Sequence, residues 1–325
     1  MRILVLGGTR FIGAAAVRQL VADGHEVACF HRGQTNAPLP SSVDHILGDR
    51  ARLSESLEAF RAFAPELLLD QRPLCEADAT AVMALAHELG VRRVVAISSM
   101  DVYKAFGVVL RKETWPGGEF PGAIQDEDGP LREVPYPHRG EELKPPGDPL
   151  EWTNTYDKIP AEAVFMGDPD LPGTVLRLPM VYGPGDYHRR PKTYTERMFA
   201  GAERIELEEG FARWETARGY IDDVGRAIAL ALTDERAAGR IYNVCEESFL
   251  SEEAWVRALA EAAGWEGEIA LVAEDSLPED QRPGIEARQH LRLSSARIRA
   301  ELDYSESLSL SERIARTVAW EREQD

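Results

Sequence analysis

The sequence predicts an α/β protein with a doubly wound parallel sheet of about seven strands and a smaller C-terminal substrate lobe. Three observations support this fold class. Short apolar segments alternate with longer amphipathic ones over most of the first 244 residues. A glycine-rich turn joins the first strand to the first helix at residues 7–13. Polar residues follow the predicted strands directly, and ligands of such sheets bind outside the carboxyl ends of the strands.

The first unit is a strand, a glycine turn, a helix and a second strand. Residues 3–6 are apolar and predict a buried strand, residues 11–22 predict a helix, and residues 26–30 predict the next strand. Glycines at this position let the backbone approach a pyrophosphate, and the helix N-terminus offers free N–H groups. The turn therefore predicts a dinucleotide site formed by Gly7, Gly8, Thr9, Arg10, Phe11, Ile12 and Gly13.

The alternation continues along the chain. Further strands are predicted at 43–47, 65–69, 94–97, 174–178 and 241–244. Helices are predicted at 53–64, 77–89, 219–232, 251–263 and 310–322, and one more follows residue 157 and ends at about residue 165. Pro160 must lie in the first turn of its helix, with Asp157 as the N-cap. We predict a Rossmann-type domain at 1–184 plus 219–244, and a substrate-binding lobe at 185–218 plus 245–325.

The segment 104–152 interrupts this rhythm. It contains eight prolines and seven glycines and has little periodicity. Loops of this length are usually functional or disordered, and its aromatic residues argue against disorder. The sequence therefore predicts a lid over the substrate site.

Composition narrows the class of protein. The 325 residues carry 37 Lys and Arg against 56 Asp and Glu, a formal charge of −19, which argues against nucleic acid as a partner. Cys29, Cys75 and Cys245 have neither disulfide nor metal spacing. No apolar run has the length of a membrane span and no signal peptide is visible, so we expect no membrane partner, no metal and a cytoplasmic location.

Residues after the second strand bear on cofactor choice. An acidic residue here commonly binds the adenosine ribose and selects NAD, whereas this chain has Arg32. Arg10 stands in the glycine turn, and two arginines suit a 2′-phosphate. The sequence favours NADP over NAD, although both arginines are also compatible with an ordinary surface role.

Other strand ends supply further cofactor candidates. Asp49 and Arg50 follow the third strand, where an acid can accept a hydrogen bond from the adenine amino group or simply cap the next helix. Asp70 ends the fourth strand and Ser98 the fifth. Because these ends meet at one edge of a parallel sheet, we expect all four residues near the cofactor.

Six segments in this order resemble the extended short-chain dehydrogenase/reductase superfamily, in its NAD-dependent epimerase/dehydratase branch. They are residues 7–13, 98–103, 158–162, 176–184, 220–224, and the C-terminal pair 302–304 with 317–320. The glycine turn is also similar to that of chloroplast stem-loop RNA-binding relatives. The resemblance implies an NAD(P)-dependent oxidoreductase and cofactor contacts at Pro179 and Val181. It also implies a homodimer formed through helices 77–89 and 161–165.

The resemblance further implies three catalytic roles. A Ser or Thr after the fifth strand polarises the substrate oxygen, a Tyr carries the proton, and a Lys four residues later holds the nicotinamide ribose. Ser99 and Lys158 match the first and third roles, but Asn154 stands where the Tyr is expected. An amide is no proton donor near neutral pH.

Three explanations of Asn154 stay open. The chain has lost redox chemistry and kept cofactor binding; or Tyr156 supplies the phenol, its pKa lowered by the Lys158 ammonium; or Asp101 is the acid. Packing beneath the lid is the ordinary role for Tyr156, and a carboxylate at the cofactor rim is the ordinary role for Asp101. The main hypothesis is an epimerase/dehydratase-type oxidoreductase acting on a small polyol-like substrate, with nucleotide sugars as candidates. The alternative is a catalytically silent NAD(P)-binding protein, regulatory or RNA-associated.

Overall fold

A parallel sheet of seven strands forms the centre of the protein. The structure is a computed structural model that describes residues 1–35, 38–118, 120 and 122–324. The strands run β1 Arg2–Leu6, β2 Glu26–His31, β3 Asp44–Leu47, β4 Leu67–Asp70, β5 Arg93–Ser99, β6 Thr174–Leu178, β7 Met180–Tyr182, β8 Arg204–Glu208, β9 Arg218–Tyr220, β10 Ile241–Asn243 and β11 Glu268–Val272. The sheet order is β10-β6-β5-β4-β1-β2-β3, with every neighbouring pair parallel. The predicted Rossmann-type fold class is confirmed.

Helices cover both faces of this sheet. They run α1 Phe11–Ala22, α2 Leu57–Phe63, α3 Glu76–Leu89, α4 Lys104–Val109, α5 Lys158–Gly167, α6 Lys192–Phe199, α7 Glu209–Ala212, α8 Ile221–Thr233, α9 Glu252–Ala263, α10 Ala296–Leu302 and α11 Leu310–Glu323. Alternation along β1 divides the core, because Ile3 and Val5 face α1 and α8 while Leu4 and Leu6 face α3 and α5.

The start of α5 follows the sequence prediction. Asp157 is the N-cap and accepts a hydrogen bond from the Ile159 N–H, and Pro160 lies in the first turn. The helix begins only at Lys158, so Tyr156 lies in non-helical backbone before it. The predicted helix at 53–64 is interrupted instead: a 3₁₀ segment, Arg50–Ser56, precedes α2, with non-helical backbone at Arg52.

The lid segment 104–152 is more ordered at its start than its composition predicts. Residues Lys104–Val109 form α4, although the sequence showed little periodicity there. A small core of its own fixes this region, in which Val102 and Val109 pack with Trp214 and Leu293 from the C-terminal part of the chain. The lid is therefore attached to both halves of the molecule.

The C-terminal part is built around a two-stranded parallel sheet of β8 and β11, with α6, α9 and α11 packed together beside it. A capping box at Ser309 and Glu312 begins α11. The division into a cofactor domain and a substrate lobe stays a prediction. None of the helices formed by the described residues is long and apolar enough to cross a membrane.

Candidate active site

The glycine turn requires glycine at three positions. Gly7 has φ of +95°, a conformation that favours glycine. A Cβ on Gly13 would lie 2.5 Å from the Gly7 carbonyl oxygen, and one on Gly8 would lie 2.6 Å from Cys29 Sγ. Because these Cβ atoms are missing, α1 packs closely against the end of β1.

The N-terminus of α1 has backbone N–H donors that no side chain among the described residues caps. Its N-cap, Arg10, makes no side-chain capping bond, and the first turn contains no acidic residue. Within the described part of the chain, the buried Gln71 Nε2 also lacks a hydrogen-bond partner, and Gln71 Cγ would lie 3.4 Å from a Cβ on Gly13. Free N–H groups and an unpaired amide beside a glycine turn fit a dinucleotide pyrophosphate. Gln71 was missed by the sequence analysis.

An arginine cluster borders this turn. Arg10 and Arg32 are exposed, and among the described residues neither has a carboxylate partner; Arg10 stacks 5.4 Å from the centre of the Tyr187 ring. The pKa of Arg72 is lowered, chiefly because the side chain is partly desolvated and to a smaller extent by the positive charges of Arg50 and Arg32. The sequence analysis singled out Arg10 and Arg32 but not Arg72, which lies two residues beyond β4.

Several predicted cofactor residues make hydrogen bonds to other protein groups in this structure. Arg50 makes a two-pronged ion pair with the fully buried Asp70, at 2.5 and 2.6 Å. Asp49 accepts from the Ala51 N–H and so takes the capping role. The Ser98 hydroxyl donates to Glu162 Oε1 at 2.5 Å. All four residues lie at the carboxyl edge of the sheet, where their side chains bond to neighbouring protein groups.

The two residues that the resemblance added lie at the same edge. Pro179 directly follows β6, and Val181, buried, lies in β7. A Cβ on Gly219 would lie 2.9 Å from Pro179 Cγ, so β9 packs closely there. Pro179 and Val181 thus form part of the wall between β6 and the C-terminal part.

The four predicted catalytic side chains lie together beyond β5. The Tyr156 hydroxyl donates to Asp101 Oδ2 at 2.6 Å, and the Asp101 N–H donates to Ser99 Oγ at 3.2 Å. Lys158 Nζ donates to the Ile97 carbonyl oxygen at 2.8 Å and lies 5.8 Å from the centre of the Tyr156 ring. A hydroxyl, a phenol, a carboxylate and an ammonium therefore share one buried site.

Burial dominates the electrostatics of this cluster. It lowers the pKa of Lys158 to about 8, against the opposing effects of Asp101 and Asp70. For Asp101 burial opposes ionisation, but hydrogen bonds from His138 and Tyr156 outweigh it and lower the pKa. Burial and the Asp101 carboxylate raise the pKa of Tyr156 well above its usual value. The expectation that Lys158 lowers the pKa of this phenol was therefore wrong, because the closer charge is negative.

Asn154 has a structural partner. Its amide donates to the Lys144 carbonyl oxygen at 2.8 Å and accepts from the Lys144 N–H at 2.9 Å. Arg139 donates to the Asn154 carbonyl oxygen at 2.9 Å through Nε. The residue at the usual tyrosine position thus fastens the lid to the chain before α5.

Arg132, in the segment 104–152, is another residue that the sequence analysis missed. Its guanidinium is almost fully buried and donates to Asp157 Oδ1 at 2.6 Å and to the Asp101 carbonyl oxygen at 2.7 Å. One side chain therefore ties the lid to the cap of α5 and to the loop after β5. Nothing in the irregular lid sequence distinguishes this arginine from a surface residue.

The fold and the glycine turn define a Rossmann-type α/β protein with a candidate dinucleotide site. The model of the NAD-dependent epimerase/dehydratase family matches residues 3–70 and 161–245. A 3-diazoavenalumate denitrifying reductase of a Streptomyces species is 30% identical over 248 residues, which cover 70% of this chain and 71% of the reductase. The chain belongs to the NAD-dependent epimerase/dehydratase family, a family of oxidoreductases.

Other relatives are more distant. A 2′-dehydrokanamycin reductase of Streptomyces kanamyceticus is 26% identical over 74% of this chain and 60% of its own length. The chloroplast stem-loop binding protein of 41 kDa b of Arabidopsis thaliana is 23% identical over 81% of this chain and 64% of its own length. The chain thus spans less than two thirds of both these proteins.

Solved structures share the fold. The UDP-glucose 4-epimerase of Thermotoga maritima, whose structure contains UDP-glucose, has a TM-score of 0.72 at 20% identity. The alignment covers 100% of this chain and 99% of the epimerase. The Thermus thermophilus UDP-glucose 4-epimerase in complex with NAD has a TM-score of 0.69 at 23% identity, covering 99% of each chain. These proteins bind NAD or a nucleotide sugar on the same architecture.

Proposed function

We propose that this protein is an NADP(H)-dependent oxidoreductase that interconverts a carbonyl group and a hydroxyl group on a small polyol-like molecule. Nucleotide sugars and related keto compounds are the candidate substrates. The hydrogen bond between Tyr156 and Asp101, beside Ser99 and Lys158, is the observation that supports the proposal most, because a phenol in this cluster can serve as the proton donor.

The cofactor would be held by the glycine turn, the N-terminus of α1 and the Gln71 amide. Arg10, Arg32 and Arg72 supply the positive charge that suits a 2′-phosphate. The bound nicotinamide supplies or accepts the hydride.

The side chains of this chain supply the proton transfer that must accompany the hydride. Tyr156 donates its hydroxyl proton to the substrate oxygen in the reducing direction, and Ser99 orients that oxygen. Lys158, with its pKa lowered to about 8, holds the ribose side of the site and stabilises negative charge that develops on the phenol.

The names of the relatives support a reductive role. Two of the Streptomyces relatives are named as reductases, and the structural neighbours act on or bind UDP-glucose. The alternative of a catalytically silent protein depended on Asn154, and a phenol, that of Tyr156, within the same cluster favours the enzyme instead. The charge of −19 argues against an RNA-associated role.

Calorimetry with NADPH and NADH tests the cofactor half of the proposal, with Gly13→Ala as the variant. A Cβ there would lie 2.5 Å from the Gly7 carbonyl oxygen, so binding should weaken at least tenfold. Gly167→Ala is the matched control, because a Cβ on Gly167 would have nothing within 4 Å. If wild-type protein binds neither dinucleotide at millimolar concentration, the proposed function is wrong.

A substrate panel tests the catalytic half. NADPH consumption is followed with keto sugars and nucleotide-linked keto sugars, and NADP⁺ reduction with UDP-glucose. Turnover of at least one member that depends on Tyr156 is the expected result. Turnover that survives in Tyr156→Phe would contradict the assigned role of the phenol.

A further inference from the structure

A histidine of the segment 104–152 reaches the predicted catalytic cluster. His138 Nε2 lies 3.2 Å from Asp101 Oδ2, the same oxygen that accepts the Tyr156 hydroxyl at 2.6 Å. An ionised carboxylate only accepts hydrogen bonds, so Nε2 carries the hydrogen. The His138 side chain is 31% exposed and that of Asp101 is 4% exposed. The three groups thus form a continuous hydrogen-bonded path from the surface to the buried phenol.

The position of His138 is fixed on both sides along the chain. Lys112 Nζ donates to the carbonyl oxygens of Pro137 at 2.7 Å and Arg139 at 3.0 Å. Arg139 in turn donates to the Asn154 carbonyl oxygen. The contact between His138 and Asp101 is therefore held by the residues that bracket His138.

Three aromatic rings surround the imidazole. The ring centres of Tyr156, Phe106 and Trp152 lie 4.9, 5.8 and 5.8 Å from that of His138. Purely structural packing is thus the competing role for this residue. Packing alone does not require the Nε2 nitrogen to face Asp101.

We propose that His138, Asp101 and Tyr156 form a proton relay between solvent and the reacting oxygen of the substrate. The inference rests on the proposed function, because the relay serves the phenol that donates to the substrate. His138 is a residue that acts through Asp101 and Tyr156 and does not touch the substrate.

The proton balance is as follows for carbonyl reduction. The Tyr156 O–H bond breaks as the substrate oxygen gains a proton, and the substrate carbon gains the hydride that a reduced nicotinamide would supply, leaving the nicotinamide oxidised. The Tyr156 oxygen then takes a proton through Asp101 Oδ2, and the Nε2–H bond of protonated His138 breaks. Neutral His138 is protonated again by water at the surface. In the oxidising direction every transfer runs in reverse.

The surroundings of the phenol favour its reprotonation. Burial and the Asp101 carboxylate raise the pKa of Tyr156, so the phenolate that remains after donation readily takes up a proton.

Among the described residues, the carboxylate that contacts His138 is that of Asp101, and several cations lie further away. The Asp101 carboxylate and the Tyr156 phenol contact the ring directly, whereas Phe106 and Trp152 are uncharged. The nearby cations reach other groups of the lid and cluster; they are Lys112, Arg132, Arg139 and Lys158. The relay therefore has a single carboxylate as its central member.

Hydroxyl proton exchange tests the relay without substrate or cofactor. Tyr156 is buried, so its hydroxyl proton exchanges with water through a relay or through opening of the site. The exchange rate is measured by NMR in ¹³C-tyrosine-labelled protein, from the isotope shift of the ring carbon that bears the hydroxyl. We expect His138→Phe, which keeps an aromatic ring, to slow exchange at least tenfold.

Two further variants complete the test. His138→Gln keeps an N–H donor, but its amide cannot gain and release a proton as imidazole does, so this variant should slow exchange as well. It also serves as the test if the His138→Phe variant folds poorly. His25→Gln, at the opposite edge of the sheet beside β2, should exchange at the wild-type rate. Exchange that is unchanged or faster in both folded His138 variants overturns the relay.

Turnover separates this inference from the proposed function. If Tyr156→Phe is inactive and the His138 variants lose at least tenfold in kcat with unchanged KM, both stand. Adding His138→Gln to Tyr156→Phe should then cost nothing more. If the His138 variants keep full activity while Tyr156→Phe is inactive, the relay is wrong and the proposed function stands. If the protein binds no dinucleotide, the proposed function itself is wrong.

Discussion

The Tyr156 hydroxyl lies 2.6 Å from Asp101 Oδ2, and both side chains are buried. The second oxygen of the carboxylate, Oδ1, is buried and has no hydrogen-bond partner among the described residues. One oxygen of the carboxylate therefore orients the phenol, and the other is left without a partner in the described part of the chain. Because burial and then the carboxylate raise the pKa of the phenol, Tyr156 stays protonated.

Tyr156→Phe should lower turnover by about 10²–10⁴, the usual effect of removing a positioned acid–base group. Affinity for NADPH should stay within about twofold, because the phenol contributes little to dinucleotide binding. Steady-state kinetics on the best member of the substrate panel, with calorimetry alongside, measure both quantities. Thr155→Ala, at an exposed neighbouring position, is the control. Near-wild-type turnover would transfer the acid role to Asp101.

Arg32→Ser should weaken NADPH binding and leave NADH binding unchanged. A hydrogen bond to a charged group contributes about 1.5–3 kcal/mol, so the NADPH Kd should rise at least tenfold. Arg257→Ser is the control, since Arg257 is an exposed residue of α9 paired with Glu253. Equal loss for both dinucleotides, or tighter wild-type binding of NADH, would contradict the proposed preference.

Lys158 should make the stability of the protein rise with pH in alkaline solution. Burial lowers its pKa to about 8 from 10.5, so between these values the unfolded chain binds a proton that the folded chain does not. The free energy of unfolding of wild type should therefore gain up to about 3 kcal/mol relative to Lys158→Met as pH rises from 8 to 10.5. Urea unfolding at several pH values measures this difference. Parallel curves would show that Lys158 does not titrate in this range.

The protein should form a homodimer through α3 and α5. These helices pack side by side, and small residues such as Ala81, Ala84 and Ala163 are exposed on them. Ala81→Arg should then yield a monomer by light scattering at micromolar concentration, whereas Ala59→Arg on α2 should not. A monomeric wild-type mass would refute the prediction.

Local patterns in the sequence predicted the parts of the fold and site that depend on neighbouring residues. Gly7 and Gly13 were identifiable because strand, turn and helix follow one another within 22 residues. The start of α5 was predictable because Pro160 allows only a first-turn position and Asp157 is a good N-cap.

Contacts between distant segments were not predictable. His138 and Asp101 are 37 residues apart and Arg132 and Asp157 are 25 apart, and the lid has no periodicity that would indicate which side chains turn inward. The same limit applies to the ion pair between Arg50 and Asp70, two residues predicted separately to lie near the cofactor. Asn154 was identified as the departure from the family pattern, but its partner, the Lys144 backbone, is visible only in the structure.

A crystal structure with bound NADP⁺ tests the central claim most directly, through the distance from the Tyr156 hydroxyl to nicotinamide C4. Reacting carbons approach to about 3–3.5 Å and the donor lies a hydrogen bond beyond the carbonyl oxygen, so the account predicts a distance under about 7 Å. It also predicts the pyrophosphate at the Gly7–Gly13 turn and the 2′-phosphate beside Arg32. A Tyr156 hydroxyl more than roughly 8 Å from C4 would be too far for proton transfer to the reacting oxygen and would contradict the account.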